Sequence, residues 1–210
     1  MLCPALNTSR IVLKTIQSWG IPLTVFVRNL GPGSYDFAGG DSERGVFLAT
    51  SHLLNSGYRE VGFLGGQMGV VFTQRLQGYK KALQARGLVF SEDLVFNANP
   101  SRVGGYEAMN ELLLRKPHLK AAVCYNDVAA FGALSALGEK GLRAGVDFAL
   151  MGFDNILDTA HSNPPLSTVD IHPTELGERA AAILLQRIKD PGAKRMVYTA
   201  PASLLLRQTA

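Results

Sequence analysis

Residues 121–155, AAVCYNDVAAFGALSALGEKGLRAGVDFALMGFDN, constrain this chain more than any other stretch. Ala121–Tyr125 is an apolar run that halts at Asn126-Asp127, and an apolar-periodic segment follows as far as Gly141. After a short basic loop a second apolar run, Phe148–Met151, halts at Gly152-Phe153-Asp154. That order predicts strand, polar tip, helix, strand, polar tip. Parallel strands joined by a helix bring both tips to one edge of a sheet, so Asn126 and Asp154 are expected in one crevice. Apolar strands that end in short polar side chains suit a small-molecule site.

The same alternation organises the rest of the chain. Met1-Leu2-Cys3-Pro4 reads as the end of a strand, and Ile11 to Trp19 as a helix closed by Gly20. Leu23–Val27 is a buried strand, Asn29–Gly40 a Gly/Pro/Ser-rich loop, and Asp41-Ser42 the N-cap of a helix that ends at Gly57. Val61–Leu64 is a strand, Gln67–Phe72 a loop, and Thr73 the N-cap of a helix with Leu76, Tyr79 and Leu83 inward. Leu94–Phe96 is a short strand, and Ser101 caps a helix whose stripe is Tyr106, Met109, Leu112 and Leu113. His161–Pro165 is a turn and Leu166–Ile171 is extended. Pro173 starts a helix with Leu176, Ala180, Ile183, Leu184 and Ile188 on one face. Val197–Thr199 and Ser203–Leu206 close the chain as strands. Strand and helix in alternation mean an α/β fold with mainly parallel sheet.

With 210 residues the chain can form one large domain or two small ones sharing a crevice. No apolar run approaches the roughly 20 residues of a membrane span, and no signal peptide opens the chain, so a cytoplasmic protein without membrane contact is expected. Cys3 and Cys124 lie in apolar runs without CxxC spacing, which predicts buried free thiols. The net charge of +4 is spread along the chain. Its densest group, Arg75/Lys80/Lys81/Arg86, falls on one helix and reads as a solvated face rather than a DNA-binding stripe. A GxSxG elbow, a P-loop, an HExxH and a complete GxGxxG are all missing, and His52, His118, His161 and His172 are dispersed. Asp41/Glu43 and Glu92/Asp93 read as caps and solvent-facing charge. Neither a catalytic site nor a metal site is predicted, and no cofactor is implied.

Six segments resemble the effector-binding domain of the LacI/GalR family of bacterial transcription regulators: HLLNSGYREVGFLGG (52–66), RLQGYKKAL (75–83), 125–155 of the opening stretch, PPLSTVD (164–170), ELGERAAAILLQRI (175–188) and SLLLRQT (203–209). They occur in the family's order and spacing. The resemblance implies a type I periplasmic-binding-protein fold, two α/β subdomains with a ligand cleft between them. It divides the chain into 1–40 with 170–200 and 41–169 with 201–210. It also implies that a helix-turn-helix headpiece and the first two strand-helix units would precede Met1, leaving the first subdomain incomplete, with an exposed sheet edge. The partners implied are a sugar-like small-molecule effector, a second copy in a homodimer, and DNA only through the headpiece. A periplasmic sugar-binding transport receptor is the alternative, and an inert remnant a third reading.

By resemblance, Arg75 binds effector hydroxyl or carboxylate oxygens and Asn126 contacts the ligand. Its neighbour Asp127 reads as the N-cap of the helix that follows. Asp154, a carboxylate at a strand tip, is expected to accept from two adjacent hydroxyls, with Thr73 and Phe72 lining the same entry. Solvated or ion-paired roles for Arg75, a turn for Asn126 and loop fixing for Asp154 are the structural alternatives. Two positions depart from the family pattern: Val27-Arg28, where many members carry an acid before the Arg, and Pro100, where many carry a stacking aromatic. These departures argue against a typical hexose and leave two alternatives: a less polar site that takes something smaller, or an aromatic face supplied by Phe72 or Phe153.

Overall fold

The computed structural model describes residues 1–5 and 8–210, which form two compact units. One unit comprises Met1–Asp41, Gly69–Val71 and Ile171–Pro201, and the other Ser42–Met68, Phe72–Asp170 and Ala202–Ala210.

In the first unit, helix α1 (Arg10–Ser18) starts where the Ser9 hydroxyl accepts from the Ile11 N–H at 3.2 Å. Its Leu13 packs with Val25, Tyr35 and Phe37. Strands β1 (Thr24–Phe26), β2 (Asp36–Gly40) and β8 (Val197–Ala200) form a parallel sheet in the order β1-β2-β8, and Leu2 bridges to Val25 alongside. The strand β2 corrects the loop expected over 29–40. Its two glycines are present because of packing: a Cβ on Gly40 would sit 2.7 Å from Ile171 Cγ2, so a strand here requires glycine, although glycine usually argues against one. Cys3 also differs from expectation. Leu2 packs against the Leu13/Val25 cluster, so period-2 alternation turns Cys3 outward, and its thiol is exposed. Helix α7 (Pro173–Lys189) has Pro at its first turn and buries Leu176 and Ala180; Ile188, expected on that face, is exposed. Arg187 binds Asp36 through two hydrogen bonds of 2.8 and 2.9 Å, tying α7 to the start of β2.

The second unit is built on a six-stranded sheet. Its elements are α2 (Ser42–Asn55), β3 (Gly62–Leu64), α3 (Val70–Ala85), β4 (Val95–Phe96), α4 (Arg102–Arg115), β5 (Ala121–Cys124), α5 (Asp127–Glu139), β6 (Ala149–Asp154), α6 (Asp158–His161), β7 (Ser167–Asp170) and β9 (Ser203–Leu205). The strand order is β4-β3-β5-β6-β7-β9, parallel except for β9 against β7. Alternation along the strands divides the core. Leu64, Ala122, Cys124 and Leu150 pack with the α4–α5 layer, while Phe63 meets Tyr79 of α3 and Phe153 lies against Gly45 of α2. Ser101 caps α4, accepting from the Gly104 N–H at 3.1 Å, as its sequence position predicts.

Several local expectations shift here. Helix α3 begins at Val70, so Thr73 lies within it rather than capping it, and Arg75 stands in its second turn rather than at its opening. His161 ends a short helix, α6, instead of opening a turn. Strand β6 continues through Gly152-Phe153 to Asp154, because β7 pairs with it in register along that length. Tyr106 and Leu113 are half-buried at the margin of the α4–α5 core.

Candidate functional site

The sheet order of the second unit contains a reversal of chain direction. From β3 the chain moves to β4 on one side and then crosses to β5 on the other, so direction reverses between β3 and β5. Ligands in open parallel sheets bind beyond the C-terminal ends of strands at such a reversal, where loops diverge and leave a crevice. The segment after β3 carries Phe72 and Arg75, that after β5 carries Tyr125 and Asn126, and β6 ends in Asp154.

Arg75 is buried, 6% exposed, which corrects its reading as part of a solvated cationic face. Its guanidinium lies 3.7 Å from the centre of the Phe153 ring and 4.5 Å from that of Tyr125. One terminal nitrogen donates to the Tyr125 carbonyl and the other to Asp154 Oδ1 at 3.0 Å; Nε is buried without a hydrogen-bond partner. Two residues singled out separately, 79 positions apart, are therefore one ion pair. A cation so desolvated needs a counter-charge and π faces, and it has both. Asp154 is the more open partner, with its side chain 30% exposed. Phe153 is fully buried beneath the guanidinium, so it cannot offer a ligand an aromatic face. Phe72 is half-buried, 6.1 Å from Phe63 and 6.5 Å from Tyr125. With Gly66, Gln67, Met68, Asn97 and Ala98 it lines a cavity of about 360 Å³ at the ends of β3 and β4. Thr73 lies on the exposed side of α3.

The N-cap expected of Asp127 is made by Asn126 instead. Asn126 is the N-cap of α5: its Oδ1 accepts from the Ala129 N–H at 2.8 Å, and its Nδ2 donates to the Pro100 carbonyl at 3.3 Å. Asp127 is the first helical residue, fully buried, and its carboxylate turns inward. Oδ1 accepts from the Thr168 hydroxyl at 2.6 Å on β7, and Oδ2 from the Ile156 N–H at 3.0 Å just beyond β6. Gly152 makes room for it, since a Cβ there would overlap Oδ1. Burial pushes the Asp127 carboxyl up to about 7, helped by the nearby Asp154; the Thr168 and Ile156 hydrogen bonds and Arg75 pull the other way. The Cys124 thiol beneath is driven up by the same burial and by Asp127. Nothing local in the sequence marks Asp127, because its partners lie 29 and 41 residues away.

Backbone strain gathers at the same kind of position. Among the described residues the non-glycine positions with left-handed φ are Val27 (64°), Asp154 (114°), Asn155 (55°) and His172 (50°), each at or just past the C-terminal end of a strand. Strained residues of this kind persist where surrounding contacts hold them, and they concentrate at binding sites. Among the described residues no group of three or more His, Cys, Asp or Glu side chains could hold a metal, and no helix is long and apolar enough to cross a membrane.

Residues 50–210 match the family model of the periplasmic binding protein-like domain. A PurR-type HTH transcriptional repressor of Mannheimia succiniciproducens is 34% identical over 206 residues; the match covers 97% of this chain, which spans 60% of that relative's length. Among solved structures, the transcriptional regulator CelR in complex with cellobiose superposes with a TM-score of 0.90 at 28% identity, covering 98% of this chain and 64% of the other. A LacI family regulator of Enterococcus faecium with bound ribose superposes with a TM-score of 0.88 at 26% identity, covering 97% and 75%.

Proposed function

Because the chain belongs to the periplasmic binding protein-like family, in the branch carried by LacI-type transcriptional regulators, we propose that it is the effector-sensing part of such a regulator. It is a sensor and not a catalyst. The effector is a small polyhydroxyl metabolite, a sugar or a close relative, bound at the β3/β5/β6 strand ends of the second unit. The observation that carries this reading is the pair of buried Arg75 and partly exposed Asp154 at the reversal of strand order. A carboxylate held at a strand tip and partly open to solvent accepts from vicinal hydroxyls, and a guanidinium fixed between rings holds it in place. Phe72 supplies the apolar face, Asn126 stands beside the pair, and Thr73 flanks the entry. The sugars named for the two related structures support this class of ligand. Regulators as relatives favour a cytoplasmic sensor over a periplasmic transport receptor of the same fold. The whole protein, in this proposal, works as a homodimer and reaches DNA through a helix-turn-helix part. Effector then alters DNA binding only to the extent that it prefers one of two conformations.

The test is thermal melting with a panel of sugars, sugar phosphates and nucleobases, repeated on Asp154→Asn. A ligand at about a hundred times its dissociation constant adds roughly 2.7 kcal/mol, which raises the melting temperature of a chain this size by about 5–10 °C. The expected result is a shift by one sugar class that the variant loses. A shift by no compound, or one the variant keeps in full, overturns the reading.

A further inference from the structure

Asp127 does not stand in the entry, yet it is hydrogen-bonded to the framework that carries the entry's residues. It opens α5 directly after Asn126, holds the turn after β6 through the Ile156 N–H, and holds β7 through Thr168. The turn after β6 and the second residue of β7 are thus fastened to one carboxylate, itself just past the end of β5 at Cys124 and with no exposed surface. Two of the four described non-glycine residues with left-handed φ, Asp154 and Asn155, lead into the turn it holds. Two oxygens that each accept a hydrogen bond are the natural state of an ionised carboxylate; a protonated one must find an acceptor for its own proton.

We propose that Asp127 is the positioning residue of this site: it holds Asp154 against Arg75, and an uncharged polyhydroxyl effector binds more tightly when Asp127 has lost its proton. The inference rests on the sensor reading above and names how that site is regulated. Every charged or titratable group near the carboxyl bears on the sign. From β6 comes Asp154, from α3 the Arg75 guanidinium, and from β5 the Cys124 thiol, which burial keeps neutral. Further out, Asp170 of β7 is the register partner of Asp154, and Arg207 donates to Asn155 Oδ1 at 3.0 Å. With Asp127 ionised, two carboxylates share one guanidinium. Hydroxyls that donate to Asp154 draw charge from it and ease its repulsion of Asp127, so binding favours the ionised form. An anionic ligand on Arg75 works in the opposite sense. The titration range of Asp127, about 7, places the effect near neutral pH.

A carboxylate is also a poor choice for this position on stability alone. An amide in the same place would accept from the Ile156 N–H and donate to the Thr168 oxygen without any cost of burying charge. Retaining a group that ionises with difficulty suits a role in the site.

Isothermal titration of the full chain with D-ribose, cellobiose and ribose 5-phosphate between pH 5.5 and 8.5 tests the proposal. For the neutral sugar that binds, affinity should rise about tenfold from pH 5.5 to 8.5. In Asp127→Asn it should stay flat within twofold, at the weaker level. Thr168→Val, which removes one donor to the carboxylate, should move the midpoint of the wild-type profile to higher pH, a displacement that loss of folding stability alone does not produce. A wild-type profile that is flat, or that tightens towards acid pH, overturns the inference while leaving the sensor reading intact. No heat with any probe at any pH, from a chain that melts cooperatively, overturns the sensor reading and removes the ground on which the inference stands.

Discussion

Replacing Asp127 by Asn should make the protein more stable, and increasingly so as the pH rises. The folded state holds the Asp127 proton up to about 7, against 3.8 for the free group, so the folded chain binds more protons than the unfolded chain between those values. Stability from this group is therefore complete below about pH 4, falls as the pH climbs to about 7, and is level above that. Each unit of displacement corresponds to about 1.4 kcal/mol, so between pH 5 and pH 8 the wild type should lose about 2–3 kcal/mol that the amide variant keeps. Charges that do not interact with Asp127 cancel in the difference. Urea unfolding of wild type and Asp127→Asn at pH 5, 6, 7 and 8, with the slope on denaturant checked for constancy, measures it. The gap should open by about 2–3 kcal/mol across that range. Parallel curves, with the gap unchanged within about 0.5 kcal/mol, would mean that Asp127 is already ionised at pH 5, its hydrogen bonds outweighing the cost of burial.

Three further substitutions test the packing within the two units. Helices α4 and α5 meet through glycine, and a Cβ on Gly132 would overlap the Arg102 carbonyl and lie 2.7 Å from the Tyr106 nitrogen. Gly132→Ala should cost about 3 kcal/mol by forcing the backbones apart, while Gly138→Ala on the same helix, with open space around its Cβ, should be neutral or stabilising by up to about 1 kcal/mol; equal effects in urea melts would refute the close-contact account. In the first unit Asp36→Ala removes the carboxylate from Arg187, which is 16% exposed and retains the Pro191, Ala193 and Lys194 carbonyls as acceptors. A loss of about 2–3 kcal/mol is expected; a loss below about 1 kcal/mol would show that those carbonyls satisfy the guanidinium by themselves.

Much of this molecule follows from short-range rules that a sequence displays. Apolar runs of four to six residues between amphipathic segments dictate the α/β order, because each helix or strand buries whatever face its own periodicity provides. Ser101 caps α4 and Gly57 follows α2 with φ of +99° for reasons contained in the residues themselves. The order of segments also points to the family and to the strand-end location of Asn126 and Asp154.

Tertiary structure alone decided what those residues do to one another. The sequence offers Arg75 and Asp154 as two polar side chains; folding makes them a single ion pair between Tyr125 and Phe153, since a buried charge is tolerable only where a counter-charge and polarisable rings arrive from elsewhere in the chain. Asn126 and Asp127 are adjacent and both able to cap a helix, and which one turns inward depends on Thr168, Ile156 and the missing Cβ of Gly152. Gly39 and Gly40 argue for a loop until Phe37 and Ile171 occupy the space a side chain would need. Periodicity is local and survives in the sequence. Charge compensation and steric exclusion act between segments tens of residues apart, and they exist only once those segments meet.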